Sequence, residues 1–310
     1  MCSISLCKAG VIIIDAIEQL KTKLAAHDYL CNDRLATVLH LALTMRHPLF
    51  LEGEAGVGKT ELAKVIAAAQ DTQLIRLQCY EGLGISEAAY EWNAARQLME
   101  IRMAEALHDT DKAHLTRNLY RRDMLIERPL LQALTQTKSP VLLIDELDRA
   151  DEPFEAYLLE VLAEYQISVP ELGTLKAEHP PIVIITSNRT REIRDALKRR
   201  CLYHWVEFPD AKRELNIVRR RAPGASEALS RQAVEFVQRM RTVDLFKLPG
   251  VAETIDWVNA LTALNVLSLE PDAVKDTLGV LLKYREDVER VMTGDAARIL
   301  DELRAASILR

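Results

Sequence analysis

The chain has 310 residues, of which 49% are hydrophobic and 28% charged, so it is long enough for one large domain or two modest ones with a buried core. Its formal net charge of -6 gives no general electrostatic reason to expect binding to nucleic acid. The five cysteines, at positions 2, 7, 31, 79 and 201, form no CxxC pair, which argues against a disulfide framework or a zinc site and fits reduced cytosolic thiols.

The N-terminal segment is predicted to be helical. Residues 12–26 show a helix pattern of modest amphipathicity, and Cys31–Met45 predicts a second helix with Asn32 or Asp33 as its N-cap. The one membrane-like run, Val11–Ile14, is far shorter than the roughly 20 apolar residues that span a bilayer. The segment also lacks the basic start and small-residue cleavage site of a signal peptide. We therefore expect a cytoplasmic protein without stable membrane insertion.

Short apolar runs then alternate with helical patterns. The runs predict strands at residues 48–53, Gln73–Cys79, Val141–Asp145, Ile182–Thr186 and, at an edge, Leu202–Phe208. The helical patterns cover Lys59–Ala69, Ala88–Leu107, Leu119–Thr135, Pro153–Glu164 and Arg191–Arg199. This alternation is typical of an α/β fold, in which a parallel sheet is covered by helices on both faces.

The character of the sequence changes after Pro209, where only helical patterns follow. They cover residues 211–221, 226–242, 251–265, 271–282 and 284–291, with breaks at Pro223-Gly224 and Pro249-Gly250. We therefore predict an N-terminal helical extension (1–27), an α/β domain (28–208) and a small all-helical domain (209–310).

The first predicted strand leads into a loop of the pattern GxxxxGK[ST] and then into a helix. Glycines let backbone N–H groups converge on phosphate oxygens, and the positive N-terminal end of the helix favours an anion. Lys59 would reach the β- and γ-phosphates, and the Thr60 hydroxyl would ligate Mg²⁺. This context favours ATP with Mg²⁺ over a chance glycine-rich turn. The residues expected to bind it are Gly53, Glu54, Ala55, Gly56, Val57, Gly58, Lys59, Thr60 and Glu61.

Two carboxylates follow the aliphatic run of the third predicted strand. Asp145 and Glu146 would lie at the carboxyl end of a buried strand, which is where ligands bind in open α/β sheets. Asp145 would hold Mg²⁺ through water, and Glu146 would orient and polarise the attacking water. The alternative is a strand end followed by a solvated acidic turn.

The fourth predicted strand also ends in polar residues. Asn188 would hold the attacking water or touch the γ-phosphate from the strand that neighbours Asp145. The alternative is an asparagine that caps the next helix.

Two arginines end the helical pattern that follows. Arg199 and Arg200 are candidates for a finger that contacts the γ-phosphate of a neighbouring subunit, because a guanidinium spreads its donors over the transferring oxygens. The alternative is a pair of cations that stabilise a helix C-terminus.

With these four motifs in order, residues 28–310 resemble an AAA+ ATPase. In that family the motifs are Walker A (Gly53–Thr60), Walker B (Val141–Glu146), sensor 1 (Asn188) and the arginine finger (Arg199 or Arg200). The resemblance implies a five-stranded parallel sheet in the order 5-1-4-3-2 and a helical lid. It also implies ATP sites between the subunits of a ring, usually a hexamer.

Finer features resemble the MoxR family. They are a hairpin pattern at Tyr165–Ala177 that turns near Gly173, insertion-like segments at Cys79–Leu83 and Tyr90–Asn93, and the segments Glu127–Leu131 and Thr186–Ile193. The subgroup with the greatest similarity is the CoxD-like proteins, which accompany carbon monoxide dehydrogenase and related molybdenum enzymes. This resemblance implies an ATP-hydrolysing chaperone in metalloenzyme maturation, often with a partner that carries a von Willebrand A domain.

One position departs from the family pattern. Thr254 stands where many members have the sensor-2 arginine, so no sensor 2 is expected there, and Arg241 is a weak candidate for coupling the lid to nucleotide. Two other functions compete with the chaperone hypothesis: a nucleic-acid motor or loader, and a nucleotide-gated binding module with negligible turnover. The acidic charge balance argues against the first, and the intact pair Asp145 and Glu146 against the second.

Overall fold

The structure, a computed structural model, describes residues 3–107 and 111–308. Cys2 lies outside these residues, as does the side chain of Cys7. The chain divides into two compact units. One consists of Met1–Leu20, Asn32–Glu52 and Thr60–Trp205, and the other of Lys21–Cys31, Gly53–Lys59 and Val206–Arg310.

Helices and strands alternate up to residue 206. In chain order they are α1 (Ser3–Ala26), α2 (Asp33–Met45), β1 (Leu49–Gly53), α3 (Lys59–Ala69), β2 (Leu74–Gln78), α4 (Ile85–Ala88), β3 (Tyr90–Trp92), α5 (Ala94–Ala106), α6 (Lys112–Leu119), β4 (Leu125–Glu127), α7 (Pro129–Leu134), β5 (Val141–Asp145), α8 (Glu152–Glu164), β6 (Gln166–Val169), β7 (Gly173–Lys176), β8 (Ile182–Ser187), α9 (Asp195–Lys198) and β9 (Leu202–Val206). The remainder is helical: α10 (Ala211–Arg221), α11 (Glu227–Met240), α12 (Val251–Ala263), α13 (Pro271–Leu281), α14 (Arg285–Arg290) and α15 (Ala296–Ile308).

The main sheet has five strands in the order β2-β5-β8-β1-β9. These are the five predicted strands, and the order is the expected 5-1-4-3-2 read from the opposite edge, so the predicted α/β fold is confirmed. The parallel register sets Arg76 beside Leu143 and Gln78 beside Asp145. Because side chains alternate along a strand, Arg76, Gln78 and Asp145 share one face of the sheet at its carboxyl edge.

The central strands are buried on both faces. Every residue of β1 and β5 is buried, which explains why their sequences are almost continuous aliphatic runs. Alternate residues of the sheet, such as Phe50, Leu142 and Ile185, pack into one core cluster with α7 and α8. Packing on both faces therefore fixes where the central strands end and so positions the polar residues that follow them.

Two predicted helices are interrupted by short strands. Helices were expected over residues 88–107 and 119–135, but β3 and β4 pair antiparallel there, with Tyr90 opposite Glu127. Aromatic residues in β3 favour an extended strand. In the second segment, Pro129 disfavours helical dihedrals at the preceding residue, so α7 begins only at the proline.

The hairpin expected before the fourth main strand is present. Strands β6 and β7 pair antiparallel, with Val169 opposite Gly173. Gly173 has a positive φ of 85°, a conformation that glycine adopts without steric cost.

The C-terminal helices enclose a core of their own. Phe236 and Trp257 are fully buried with ring centroids 5.3 Å apart, and the Trp257 indole N–H donates to Thr277 Oγ1 at 2.8 Å. Side chains cap two of these helices: Asp210 at the start of α10 and Ser226 at the start of α11. Within residues 3–107 and 111–308, no helix is both long and apolar enough to span a bilayer.

Candidate active site

The glycine-rich loop joins β1 to α3 and is tied together by its own lysine. Lys59 is 6% exposed, and its Nζ donates to the carbonyl oxygens of Gly53 at 2.6 Å and Glu54 at 2.7 Å. Gly56 and Gly58 have positive φ values of 75° and 96°, which L-residues rarely adopt. The loop therefore uses backbone conformations that glycine permits, and the Lys59 ammonium lies against two of its carbonyl oxygens.

The carboxylate of Asp145 is buried and holds three side chains from three elements. Its Oδ1 accepts from Thr60 Oγ1 at 2.9 Å and from Thr186 Oγ1 at 2.6 Å. Its Oδ2 accepts from Arg76 Nε at 3.0 Å and Nη2 at 2.5 Å. The strand residue Asp145 thus fixes the first turn of α3, which directly follows the glycine-rich loop.

Glu146 is positioned by both its backbone and its carboxylate. Its φ and ψ of 55° and 51° are left-handed, which is uncommon for a residue other than glycine, and its N–H donates to Thr186 Oγ1 at 2.9 Å. Its Oε2 accepts from Gln78 Nε2 and pairs with Arg149 Nε, both at 3.0 Å, and Oε1 accepts weakly from Asn188 Nδ2 at 3.4 Å. Gln78 also accepts from Arg76, which bonds to Asp145. Gln78 therefore connects the hydrogen bonds of Asp145 to those of Glu146.

A third carboxylate, Asp148, fixes the segment that carries Asn188. It accepts from the backbone N–H of Asn188 at 3.1 Å, and from the N–H and hydroxyl of Thr190 at 2.8 and 2.7 Å. Burial alone would raise the pKa of Asp148, but the hydrogen bonds from Thr190 and Asn188 outweigh this effect and hold the pKa below its ordinary value. Asp148 is therefore ionised at neutral pH and positions the turn after β8.

Cys79, which follows β2, is buried, and its N–H donates to the backbone carbonyl of Asp145 at 2.9 Å. Burial, reinforced by the negative charges of Asp145, Asp148 and Glu146, raises the pKa of the Cys79 thiol to about 12. The thiol is therefore neutral at pH 7, whereas the thiolate is the form that acts as a nucleophile.

Arg199 and Arg200 lie apart from the carboxylates. The helix predicted over 191–199 is shorter in the structure, where α9 covers only Asp195–Lys198. The N–H of Arg194, its N-cap residue, donates to Glu155 Oε2 at 2.9 Å. Both arginines are exposed, and Arg200 Nη1 donates to the carbonyl oxygen of Leu159 at 3.4 Å. Within the described part of the chain, neither guanidinium bonds to Asp145 or Glu146.

Thr254 belongs to a buried polar cluster in the C-terminal helices. Glu214 is fully buried and accepts from Arg241 Nη1 and Nη2 at 2.7 and 2.8 Å and from Thr254 Oγ1 at 2.8 Å. Arg241 also donates to the Pro249 carbonyl at 2.7 Å. These bonds occupy the guanidinium of Arg241, which thereby connects Glu214 in α10 to the segment that leads into α12.

The start of α12 contacts the glycine-rich loop through backbone atoms. The N–H groups of Val251 and Ala252 donate to the Gly56 carbonyl at 3.0 and 3.3 Å. A Cβ on Gly250 would lie 2.7 Å from the Ala55 carbonyl oxygen and 2.8 Å from the Gly56 Cα, so the two segments approach as closely as glycine permits. This backbone contact was not predicted from the sequence.

The donor set fits a magnesium nucleotide. Mg²⁺ in phosphate-binding sites takes oxygen ligands from one or two protein groups and completes its octahedron with phosphate and water. The side-chain oxygens of Thr60 and Asp145 lie 2.9 Å apart and are of this kind. Thr60 directly follows the glycine-rich loop, and Asp145 ends β5. No cluster of three or more His, Cys, Asp or Glu suited to a metal occurs among the described residues, so the protein side chains there do not form a cage of their own.

The structure thus brings together Thr60, Asp145, Glu146 and Asn188. It adds a set of polar residues that sequence reasoning missed, namely Arg76, Gln78, Asp148, Arg149 and Thr186. A signal for two of them was present: Arg76 and Gln78 are polar residues two apart in an otherwise apolar strand, which places them on one face.

Comparison with known proteins identifies a domain family. Residues 48–201 match the family described as AAA domain, dynein-related subfamily. No curated protein matches the chain at a significant level.

Several solved structures are also similar. A point mutant of RuvB from Thermotoga maritima is 18% identical, with a TM-score of 0.47 and coverage of 86% of this chain and 70% of that chain. RuvB of the same organism, described as a Holliday junction branch migration motor, is 18% identical with a TM-score of 0.45, covering 85% and 69%. A candidate ATPase from Cytophaga hutchinsonii is 15% identical with a TM-score of 0.45 and covers 97% of both chains.

The contact between the loop and α12 predicts that Gly250→Ala destabilises the protein. The new Cβ would meet backbone atoms at 2.7 and 2.8 Å, and overpacking of this kind costs about 1–3 kcal/mol. Gly279→Ala in α13 is the matched control, because a Cβ there meets nothing within 4 Å and alanine favours a helix. Urea unfolding followed by circular dichroism measures both. Equal midpoints for the two variants would contradict the close contact.

Proposed function

Because residues 48–201 match an AAA domain family, we propose that this chain is an AAA+ ATPase that binds ATP with Mg²⁺ at the loop Gly53–Thr60 and hydrolyses it. One observation carries the proposal: the Thr60 hydroxyl bonds to Asp145 at 2.9 Å, while the next residue, Glu146, is held by polar side chains. This arrangement supports a metal ligand beside a water-activating carboxylate at the carboxyl edge of the sheet, where ligands bind in open α/β sheets.

We assign the following roles to the chain's own residues. Lys59 would turn its ammonium from the loop carbonyls to the phosphates, for which it is a better partner. Glu146 would polarise the attacking water, and Asn188 would orient that water. Bound Mg²⁺, held by Thr60 and through water by Asp145, would neutralise charge on the β- and γ-phosphates. Residues 28–208 would form the nucleotide-binding domain and residues 209–310 the lid, after an extension (1–27).

We further propose that the ATPase is a MoxR-type chaperone, similar to the CoxD-like proteins. It would act in the cytoplasm as a homo-oligomeric ring, a hexamer. It would remodel a metalloenzyme client such as a molybdenum enzyme, with a von Willebrand A domain protein as partner. The hairpin β6–β7 before Asn188 and the short segment α4–β3 after β2 support this assignment. Exposed Arg199 and Arg200 suit a finger that reaches a neighbouring subunit.

Glu146→Gln is expected to bind ATP but to lose hydrolysis. The amide keeps the size of the side chain but cannot accept a proton from water, and general-base catalysis contributes about 10²–10⁴-fold. Binding of a fluorescent ATP analogue and release of phosphate give the two readouts. Glu164→Gln, at an exposed glutamate on α8, is the control and is expected to behave as the parent. Parent-like turnover by Glu146→Gln would remove the role assigned to Glu146.

Mixing two inactive variants tests the shared site. Arg200→Ala and Glu146→Gln are each expected to be inactive, but their mixture should recover partial ATPase activity, because some interfaces combine an intact finger with an intact glutamate. Subunit exchange is verified by energy transfer between labelled subunits. A mixture of Lys59→Ala and Glu146→Gln should stay inactive, since both defects lie in the nucleotide-binding subunit. Arg199→Ala in place of Arg200→Ala identifies which arginine acts, and no recovery with either would refute a finger between subunits.

The chaperone role predicts a nucleotide-dependent client. Tagged Glu146→Gln, which is expected to stay bound to ATP, is isolated from its native cells and compared by mass spectrometry with tagged Lys59→Ala, which is expected not to bind it. The hypothesis expects a metalloenzyme subunit enriched only with Glu146→Gln. Enrichment of nucleic acid and its binding proteins instead would favour a motor acting on nucleic acid.

A further inference from the structure

Arg76 is a charged residue of the carboxylate cluster to which the proposed reaction assigns no role. It lies on β2, an edge strand of the main sheet, and shares a face with Asp145. Its Nε and Nη2 both donate to Asp145 Oδ2, at 3.0 and 2.5 Å, and Nη2 also donates to Gln78 Oε1 at 2.5 Å. A guanidinium with two N–H groups on a single oxygen is a close counter-ion rather than a peripheral contact.

The acceptor capacity of Asp145 is fully used in this arrangement. Each carboxylate oxygen offers about two lone-pair directions. Oδ1 accepts from the hydroxyls of Thr60 and Thr186, and Oδ2 accepts two N–H groups from Arg76. A metal-bound water that donates to Asp145 must therefore displace one of these donors.

Charge and exposure indicate which donor leaves. Of the three side chains that donate to Asp145, Arg76 alone carries a positive charge, and it would repel a divalent cation at the same carboxylate. The Arg76 side chain is 51% exposed, whereas that of Asp145 is 3% exposed. Water can therefore solvate the guanidinium after it withdraws, whereas Thr186 is buried in β8 and has no such alternative.

We propose that Arg76 is an internal counter-ion of Asp145 that competes with Mg²⁺ and so sets the metal concentration at which nucleotide binds. Without metal, Arg76 compensates the charge of the buried Asp145. When Mg²⁺ and nucleotide bind, the guanidinium withdraws from Oδ2 toward solvent and leaves this oxygen to a metal-bound water. This inference rests on the proposed magnesium nucleotide site and gives Arg76 a positioning role at that site.

The test measures metal affinity directly, without turnover. Mn²⁺, which substitutes for Mg²⁺ and is visible by electron paramagnetic resonance when free, is titrated into protein with saturating ADP. Arg76→Gln is expected to lower the dissociation constant for Mn²⁺ by about threefold to tenfold, because an ion pair with a half-exposed arginine no longer competes. Arg76→Lys keeps the charge but not the two-pronged contact, so a smaller decrease is expected.

A matched control separates this effect from the loss of any surface arginine. Arg122 is 54% exposed and pairs with Glu127 at 3.1 Å, so Arg122→Gln removes a similar ion pair that does not involve Asp145. It is expected to leave the dissociation constant unchanged. Circular dichroism verifies that each variant folds, and if Arg76→Gln fails to fold, Arg76→Lys decides the outcome.

Two results would overturn the inference. An unchanged dissociation constant would show that Arg76 does not compete with the metal, and a raised one would show that Arg76 instead holds Asp145 in the metal-binding orientation. Both are distinct from failure of the proposed function, in which the parent protein itself would bind no ADP at any Mn²⁺ concentration.

Discussion

The carboxyl edge of the sheet depends on the pairing of one buried carboxylate. Asp145 is 2% exposed, and an ionised carboxylate at such a depth is tolerated only when charged or hydrogen-bonding partners compensate it. Its partners come from separate elements: Arg76 from β2, Thr60 from α3 and Thr186 from β8. The requirement to compensate one charge therefore fixes four elements relative to one another, and Thr186 in turn positions the N–H of Glu146.

The main sheet was predictable because its signal is local and strong. Strands buried on both faces, such as β5 and β8, appear as continuous aliphatic runs that periodicity detects directly. Their order came from the resemblance to AAA+ ATPases and not from the runs themselves. The strands β3 and β4 were missed because each has three residues, too few to show a period of two within segments that otherwise favour helices.

The candidate site was predictable only in part, for a physical reason. Lys59, Thr60, Asp145 and Glu146 belong to short patterns whose chemistry follows from their spacing. The roles of Arg76 and Gln78 instead depend on strand register, since a shift by one residue would turn both away from Asp145. Likewise, the bonds from α12 to the Gly56 carbonyl come from peptide groups, which leave no mark in the sequence other than Gly250.

The left-handed backbone of Glu146 lowers the stability of the turn, whereas the role proposed for Glu146 requires its side chain. Such a conformation costs an L-residue about 1–2 kcal/mol, a penalty that glycine avoids. Selection for stability alone would thus favour glycine at this turn and would remove the carboxylate of Glu146. If Glu146 has the proposed role, stability and activity oppose each other at the turn after β5, and design methods that optimise folding energy alone would remove that carboxylate.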